Sequence, residues 1–148
     1  MTRFLALATA LVALAAPAFS TEDAIATRKA IMQANGASAG LAAGMMKQEI
    51  PYSPATGRAV LTSFNATSMA FGDYFPEGSE TGDTKASPEI WSDAAGFMAE
   101  LEKFQTASAQ GAAASGREGP ADLATFQAAV GPILETCRAC HEGYQLSD

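Results

Sequence analysis

The sequence predicts an all-α fold of four helices, on three observations. After residue 20 the chain is rich in alanine, and strand-like alternation of apolar and polar residues is scarce. Ser53-Pro54 and Ser87-Pro88 each have the form of a helix cap followed by proline at the first helical position. Residues 123–144 carry apolar side chains on two seams with seven-residue spacing.

In chain order, residues 1–20 read as a secretory leader. Arg3 supplies a short positive segment, and Phe4 to Ala16 is an apolar run too short to span a bilayer comfortably. Ala18-Phe19-Ser20 fits the small-x-small cleavage pattern, with cleavage after Ala18 as the alternative. The processed chain then starts at Thr21, and no later segment is a transmembrane candidate, so no membrane anchor is expected. What remains, residues 21–148, suits one domain with one core.

The first helix is expected from about Glu22 to Gln48, with Ile25, Ile31, Met32, Leu41 and Met45 facing a core. Gly36, Gly40 and Gly44 lower its propensity but leave room for a close neighbour, and Ile50-Pro51-Tyr52 ends it. The second runs from Ser53-Pro54 to about Tyr74, with Val60, Leu61, Phe64, Met69 and Phe71 as apolar positions. Residues 76–85 are a Gly-, Glu- and Thr-rich loop. The third helix opens at Ser87-Pro88-Glu89, carries Ile90, Trp91, Phe97, Met98, Leu101 and Phe104, and fades across residues 112–116. Gly119-Pro120 starts the fourth. Its seams are Leu123, Val130, Cys137, Tyr144 and Phe126, Ile133, Cys140, with a kink expected at Gly131-Pro132.

The two cysteines and the single histidine fall together as Cys137-Arg138-Ala139-Cys140-His141. This is C-x-x-C-H, the attachment pattern of a c-type haem. Two thiols at this spacing form thioethers to the two vinyl groups of one porphyrin, and the adjacent imidazole reaches the iron. A zinc site would need a further ligand, usually from a second Cys/His pair, and the chain has none. A thioredoxin-type C-x-x-C belongs near a βαβ pattern, and a Cys137–Cys140 disulfide would close a small strained loop. One covalent haem c per chain is therefore expected. Export and haem attachment support each other and point to a bacterial-type periplasm. The formal charge of −7, with Arg3 the only charge of the leader, argues against nucleic-acid binding.

A haem motif on the last of four helices resembles cytochrome c′ and its low-spin relatives, the class II c-type cytochromes. The resemblance spans the processed chain. It is carried by Cys137-Arg138-Ala139-Cys140-His141 with Tyr144 close behind, by Ile90-Trp91-Ser92-Asp93-Ala94-Ala95-Gly96-Phe97, and by Arg28-x-x-x-Met32. It implies an antiparallel up-down-up-down four-helix bundle. It also implies Cys137 and Cys140 as thioether cysteines, His141 as proximal ligand, Arg28 near a haem propionate, Met32 on the distal side and Trp91 packing near the haem. Arg28 and Met32, four apart, share one helix face. Family members with open iron usually carry Arg or Lys four residues after the histidine; Gln145 stands there in this chain, which leaves proximal-side ligand chemistry unsupported. The resemblance also allows a homodimer through the first two helices.

Two functions follow. In the preferred one the protein is an electron carrier serving redox partner proteins, with Met32 sulfur closing the sixth iron position. In the alternative the iron is five-coordinate, Met32 only crowds the distal face, and nitric oxide or carbon monoxide binds. Neither is an enzyme. Peroxidase-like catalysis lacks a second histidine as acid–base group.

Overall fold

The computed structural model describes residues 20–147. The proposed leader therefore lies outside the described residues, except for Ser20. Four long helices form the fold: α1 (Thr21–Met46), α2 (Pro54–Phe71), α4 (Ala94–Ser115) and α5 (Leu123–Tyr144). A 3-10 turn at Gly72–Tyr74 follows α2, and a single-turn helix α3 (Glu89–Ser92) precedes α4.

Each long helix begins on a side-chain cap that satisfies a backbone N–H with no partner inside the helix. Ser20 and Ser53 accept from the amides of Asp23 and Thr56, both at 3.1 Å. Asp93 and Asp122 accept from those of Gly96, 3.2 Å, and Thr125, 2.8 Å. Two starts differ from the expectation. The third helix is broken at Asp93, whose backbone (φ −123°, ψ 56°) is not helical, so its carboxylate caps a new helix. The fourth starts at Leu123, because the Asp122 cap outweighs the Gly119-Pro120 turn signal. Gly119 instead holds a positive φ of 96° against the Pro54 backbone, where a β-carbon has no room. α5 continues through Pro132 to Tyr144 without a break in the helix.

Cross-helix contacts give the topology. Asn35 and Ser38 of α1 meet Thr67 and Ser63 of α2, so these helices run antiparallel. Ser68 of α2 and Gly72 just after it lie beside Gln105 and Leu101 of α4 in reversed order. Gly111 packs on Ile133 while Phe97 packs on Tyr144, which reverses α4 and α5. The result is an all-α, up-down-up-down four-helix bundle. Among the described residues no helix is long and apolar enough to cross a membrane.

One half of the bundle is solid. Met45, Leu61, Phe64, Phe126, Val130 and Ile133 are fully buried in the core, with Leu61 and Ile133 closing on Gly111. Leu41, expected to face the core, is 43 % exposed instead, and the apolar positions Met69 and Met98 are 70 % and 54 % exposed. For α1 the reason is that its buried stripe is small and polar. Ala24, Arg28, Asn35, Ser38 and Ala42 face inward, and the polar members find partners on neighbouring elements.

Candidate functional site

The other half of the bundle opens into a cleft. Cys137 and Cys140, three apart on α5, share a face with the buried Ile133, and both are half-buried free thiols. The Cys137 thiol donates to the Ile133 carbonyl at 3.5 Å. Burial pushes both thiols upward. Cys140 rises to about 11, through burial first and then the nearby charges of Glu100 and Cys137. A thiol held there is protonated at neutral pH, unlike the low-pKa thiolate of a redox C-x-x-C. His141 follows at the exposed edge of the helix.

Two adjoining cavities of about 510 and 270 Å³ make up the cleft. Met32, Phe71, Phe97, Cys140, His141 and Gln145 line both. The larger cavity extends to Arg28, Lys29, Thr84 and Lys85, and the smaller to Gly36, Glu100, Phe104 and Cys137. The cleft is thus largely apolar; Arg28, Lys29 and Lys85 lie on the larger cavity, with Asp83 paired to Lys29, while Cys137 lies on the smaller and Cys140 on both. This fits a porphyrin, which is apolar and flat, carries two carboxylates on one edge and reacts with thiols through its vinyl groups. Among the described residues no group of three or more His, Cys, Asp or Glu could hold a metal ion by itself.

Arg28 is 3 % exposed. Its Nη1 donates to Tyr74 O at 3.3 Å and Ser79 Oγ at 2.9 Å, and its Nη2 to Ser79 O at 2.5 Å and Thr84 Oγ1 at 2.8 Å. The guanidinium also lies over Phe75, 5.1 Å from its centroid, and Trp91, 5.6 Å. Burial lowers its pKa, opposed by the charge of Glu80. Its Nε is buried with no hydrogen-bond partner, and the residue lines the larger cavity. The other donors tie α1 to the loop between α2 and α3, a structural duty the sequence did not reveal.

Trp91 stands behind this wall. It packs on Phe75 at 6.0 Å and donates from Nε1 to Pro76 O at 3.3 Å, and it is not among the residues lining the cleft. Phe71, Phe75, Phe97 and Tyr144 form a continuous edge-to-face series with centroids 4.8–5.5 Å apart. The Tyr144 hydroxyl donates to Asp93 Oδ2 at 2.9 Å. Beyond it the chain turns extended at Gln145 and bridges to Ala86, with Ser87 N donating to Tyr144 O at 3.0 Å and Leu146 N to Lys85 O at 2.9 Å. The turn that carries His141 is therefore held on two sides. Glu100, Thr84 and Lys85 were not singled out from sequence. Glu100 left a signal, a carboxylate on the same helix face as Phe97 and Phe104.

The family model described as Cytochrome C′ matches residues 23–145, nearly the whole described chain. The chain belongs to the cytochrome c′ family. A cytochrome c-556 from Agrobacterium tumefaciens (strain II Chrys) is 36 % identical over 119 residues, covering 80 % of this chain and 93 % of that protein. The structure of cytochrome c prime from Shewanella frigidimarina aligns with a TM-score of 0.78 at 27 % identity, covering 86 % of this chain and 98 % of that one. A variant of cytochrome c prime from Alcaligenes xylosoxidans, solved as its nitric oxide complex, aligns with a TM-score of 0.74 at 31 % identity, covering 86 % and 97 %. Another variant of the same protein was solved with carbon monoxide bound.

Membership makes this a c-type haem protein of a family of non-catalytic electron carriers. It also corrects the preferred functional reading. Closure of the sixth iron position by Met32 sulfur is overturned by relatives whose iron takes nitric oxide or carbon monoxide, which requires an open position. Met32 is a half-buried wall residue shared by both cavities, set among Phe71 and Phe97.

Proposed function

We propose that the chain is an exported, periplasmic cytochrome c′ that carries electrons and binds nitric oxide or carbon monoxide at five-coordinate iron. The observation that carries this is the cleft itself: Cys137, Cys140 and His141 open onto a space whose facing wall is apolar and includes Met32, while the chain has no second histidine. The haem, when bound, supplies an iron that exchanges one electron and takes a diatomic ligand. Cys137 and Cys140 anchor it covalently, and His141 gives the only imidazole ligand. Arg28, on the wall of the larger cavity, would lie near a propionate. Met32, Phe71 and Phe97 exclude water and large ligands from the distal side. Trp91 supports Phe75 and Arg28 from behind.

Visible absorption of the purified holoprotein tests the reading. A high-spin ferric spectrum and carbon monoxide binding to the ferrous form are expected. A low-spin ferric spectrum with a methionine-to-iron charge-transfer band would overturn it. Acid–acetone should leave the haem on the polypeptide, and free extraction would refute covalent attachment. Pairing of two copies belongs to the same proposal: Leu41 is exposed on α1 beside Gly40, whose surroundings are open. Sedimentation equilibrium at micromolar concentration should give a dimer that Leu41→Glu dissociates; a monomeric wild type rules it out.

A further inference from the structure

We propose that Glu100 is an electrostatic selector of the haem cleft: its carboxylate favours the ferric state and repels anionic ligands, leaving neutral diatomic gases as the ligands admitted. The proposal deepens the function above and rests on a haem occupying the cleft.

α4 turns Phe97, Leu101 and Phe104 toward the smaller cavity, and Glu100 sits among them, lining that cavity with Cys137 and Cys140. Its side chain is 19 % exposed. Oε1 accepts from Lys103 Nζ at 2.5 Å, while Oε2 is buried with no hydrogen-bond partner. A buried carboxylate oxygen without a partner costs stability, and the largely exposed i,i+3 pair with Lys103 offsets that only weakly. α4 is already capped by Asp93, and Glu100 lies beyond the first turn, where a carboxylate no longer serves the helix dipole. An apolar side chain would suit this face better.

The carboxylate lines the same cavity as Cys137, Cys140 and His141, so its charge acts inside the cleft. Its partner Lys103 is 62 % exposed, so solvent weakens the compensation. A unit charge about 10 Å away, at an effective dielectric near 20, shifts an equilibrium on the order of tenfold. The ferric centre carries one more positive charge than the ferrous, so the carboxylate favours it. An approaching anion meets repulsion, and a neutral gas does not.

The test uses the holoprotein with Glu100→Gln, which keeps the shape and removes the charge. The ferric–ferrous equilibrium should move toward ferrous by about tenfold, about 59 mV for a one-electron couple. Azide, as the probe anion, should bind the ferric form on the order of tenfold more tightly. Carbon monoxide binding to the ferrous form should stay unchanged. Glu102→Gln, an exposed neighbour on the same helix, controls for general surface charge. An unchanged potential and azide affinity in Glu100→Gln, or equal shifts in both variants, would overturn the proposal. If Glu100→Gln fails to fold, Lys103→Met decides: removing the countercharge should lower the potential, and no change would count against it. Failure of the wild type to take carbon monoxide defeats the open-iron reading instead, and the potentials still decide Glu100.

Discussion

Arg28→Met should destabilise the holoprotein by about 3 kcal/mol, on the following grounds. The substitution keeps an apolar stem and removes a guanidinium that makes four hydrogen bonds. Two acceptors keep other roles: Ser79 Oγ still donates to Pro76 O at 2.8 Å, and Thr84 Oγ1 still accepts from Ala86 N at 3.1 Å. The Tyr74 carbonyl loses one donor, and the buried Ser79 carbonyl loses the guanidinium. A buried acceptor left unsatisfied costs about 1–3 kcal/mol. The stacking on Phe75 and Trp91 adds roughly 1 kcal/mol, and relief of the guanidinium's own desolvation offsets part of the sum. Arg28→Lys should recover only part of the loss, because one ammonium cannot span acceptors on both sides of the loop. Urea denaturation followed by circular dichroism measures this as a lower midpoint at constant slope. Hydrogen exchange should show faster opening of residues 76–85. A loss below about 1 kcal/mol, with an unaltered loop, would refute the view that Arg28 holds this loop.

Met32→Ala should speed carbon monoxide binding to the ferrous holoprotein and leave the ferric spectrum high-spin; unchanged kinetics in stopped flow would place Met32 away from the ligand path. Asp122→Ala should lower the melting temperature at pH 7 by removing the α5 cap. The Asp122 pKa is depressed by its hydrogen bonds to Thr125, so the cap's contribution is complete above the unfolded carboxylate value of about 3.9 and fades as pH falls through the lower folded value. The gap between wild type and variant should therefore close in acid, and a constant gap would contradict the assignment. Gly119→Ala should cost about 1–3 kcal/mol in chemical denaturation, since φ is positive and the new methyl meets the Pro54 carbonyl; a neutral effect would mean the turn relaxes freely.

The bundle was legible where a local signal matched its tertiary role. Ser53 and Pro54 open α2 as their types require. Phe126, Val130 and Ile133 are buried as their seven-residue seams predict. The thiols and the imidazole meet at one cleft because their spacing on a helix leaves them no other arrangement. Legibility failed where polar chemistry did the packing. The inner face of α1 uses Arg28, Asn35 and Ser38, whose partners Ser79, Thr67 and Ser63 lie 25 to 51 residues away in sequence. Apolar periodicity cannot report such a face, so Leu41 was wrongly placed inside. The state of the sixth iron position was not legible either. A methionine on the cleft wall is compatible with ligation and with crowding, and relatives with gas bound argue against ligation.

The position of the motif at the end of α5 also explains how the cleft is braced. A bundle packed solid around Gly111 has no space for a porphyrin, so the cleft must lie where the helices part, at the end where α5 terminates. A helix terminus frays unless it is tied down, and His141 sits within the last turn. Three ties answer this. Tyr144 bonds to Asp93 at the α3–α4 corner. The extended tail pairs with residues 85–87. That same loop is held by Arg28 from α1 and by the Lys29–Asp83 ion pair at 2.5 Å. The exposed ion pair adds little by itself, so the buried guanidinium and the tail carry the brace. Both walls of the cleft are thereby linked through one loop. A carrier that changes charge by one electron benefits from walls that do not rearrange, and a small open site benefits from a distal wall that cannot swing in to close it. The bracing of α5 and the polar inner face of α1 serve one requirement.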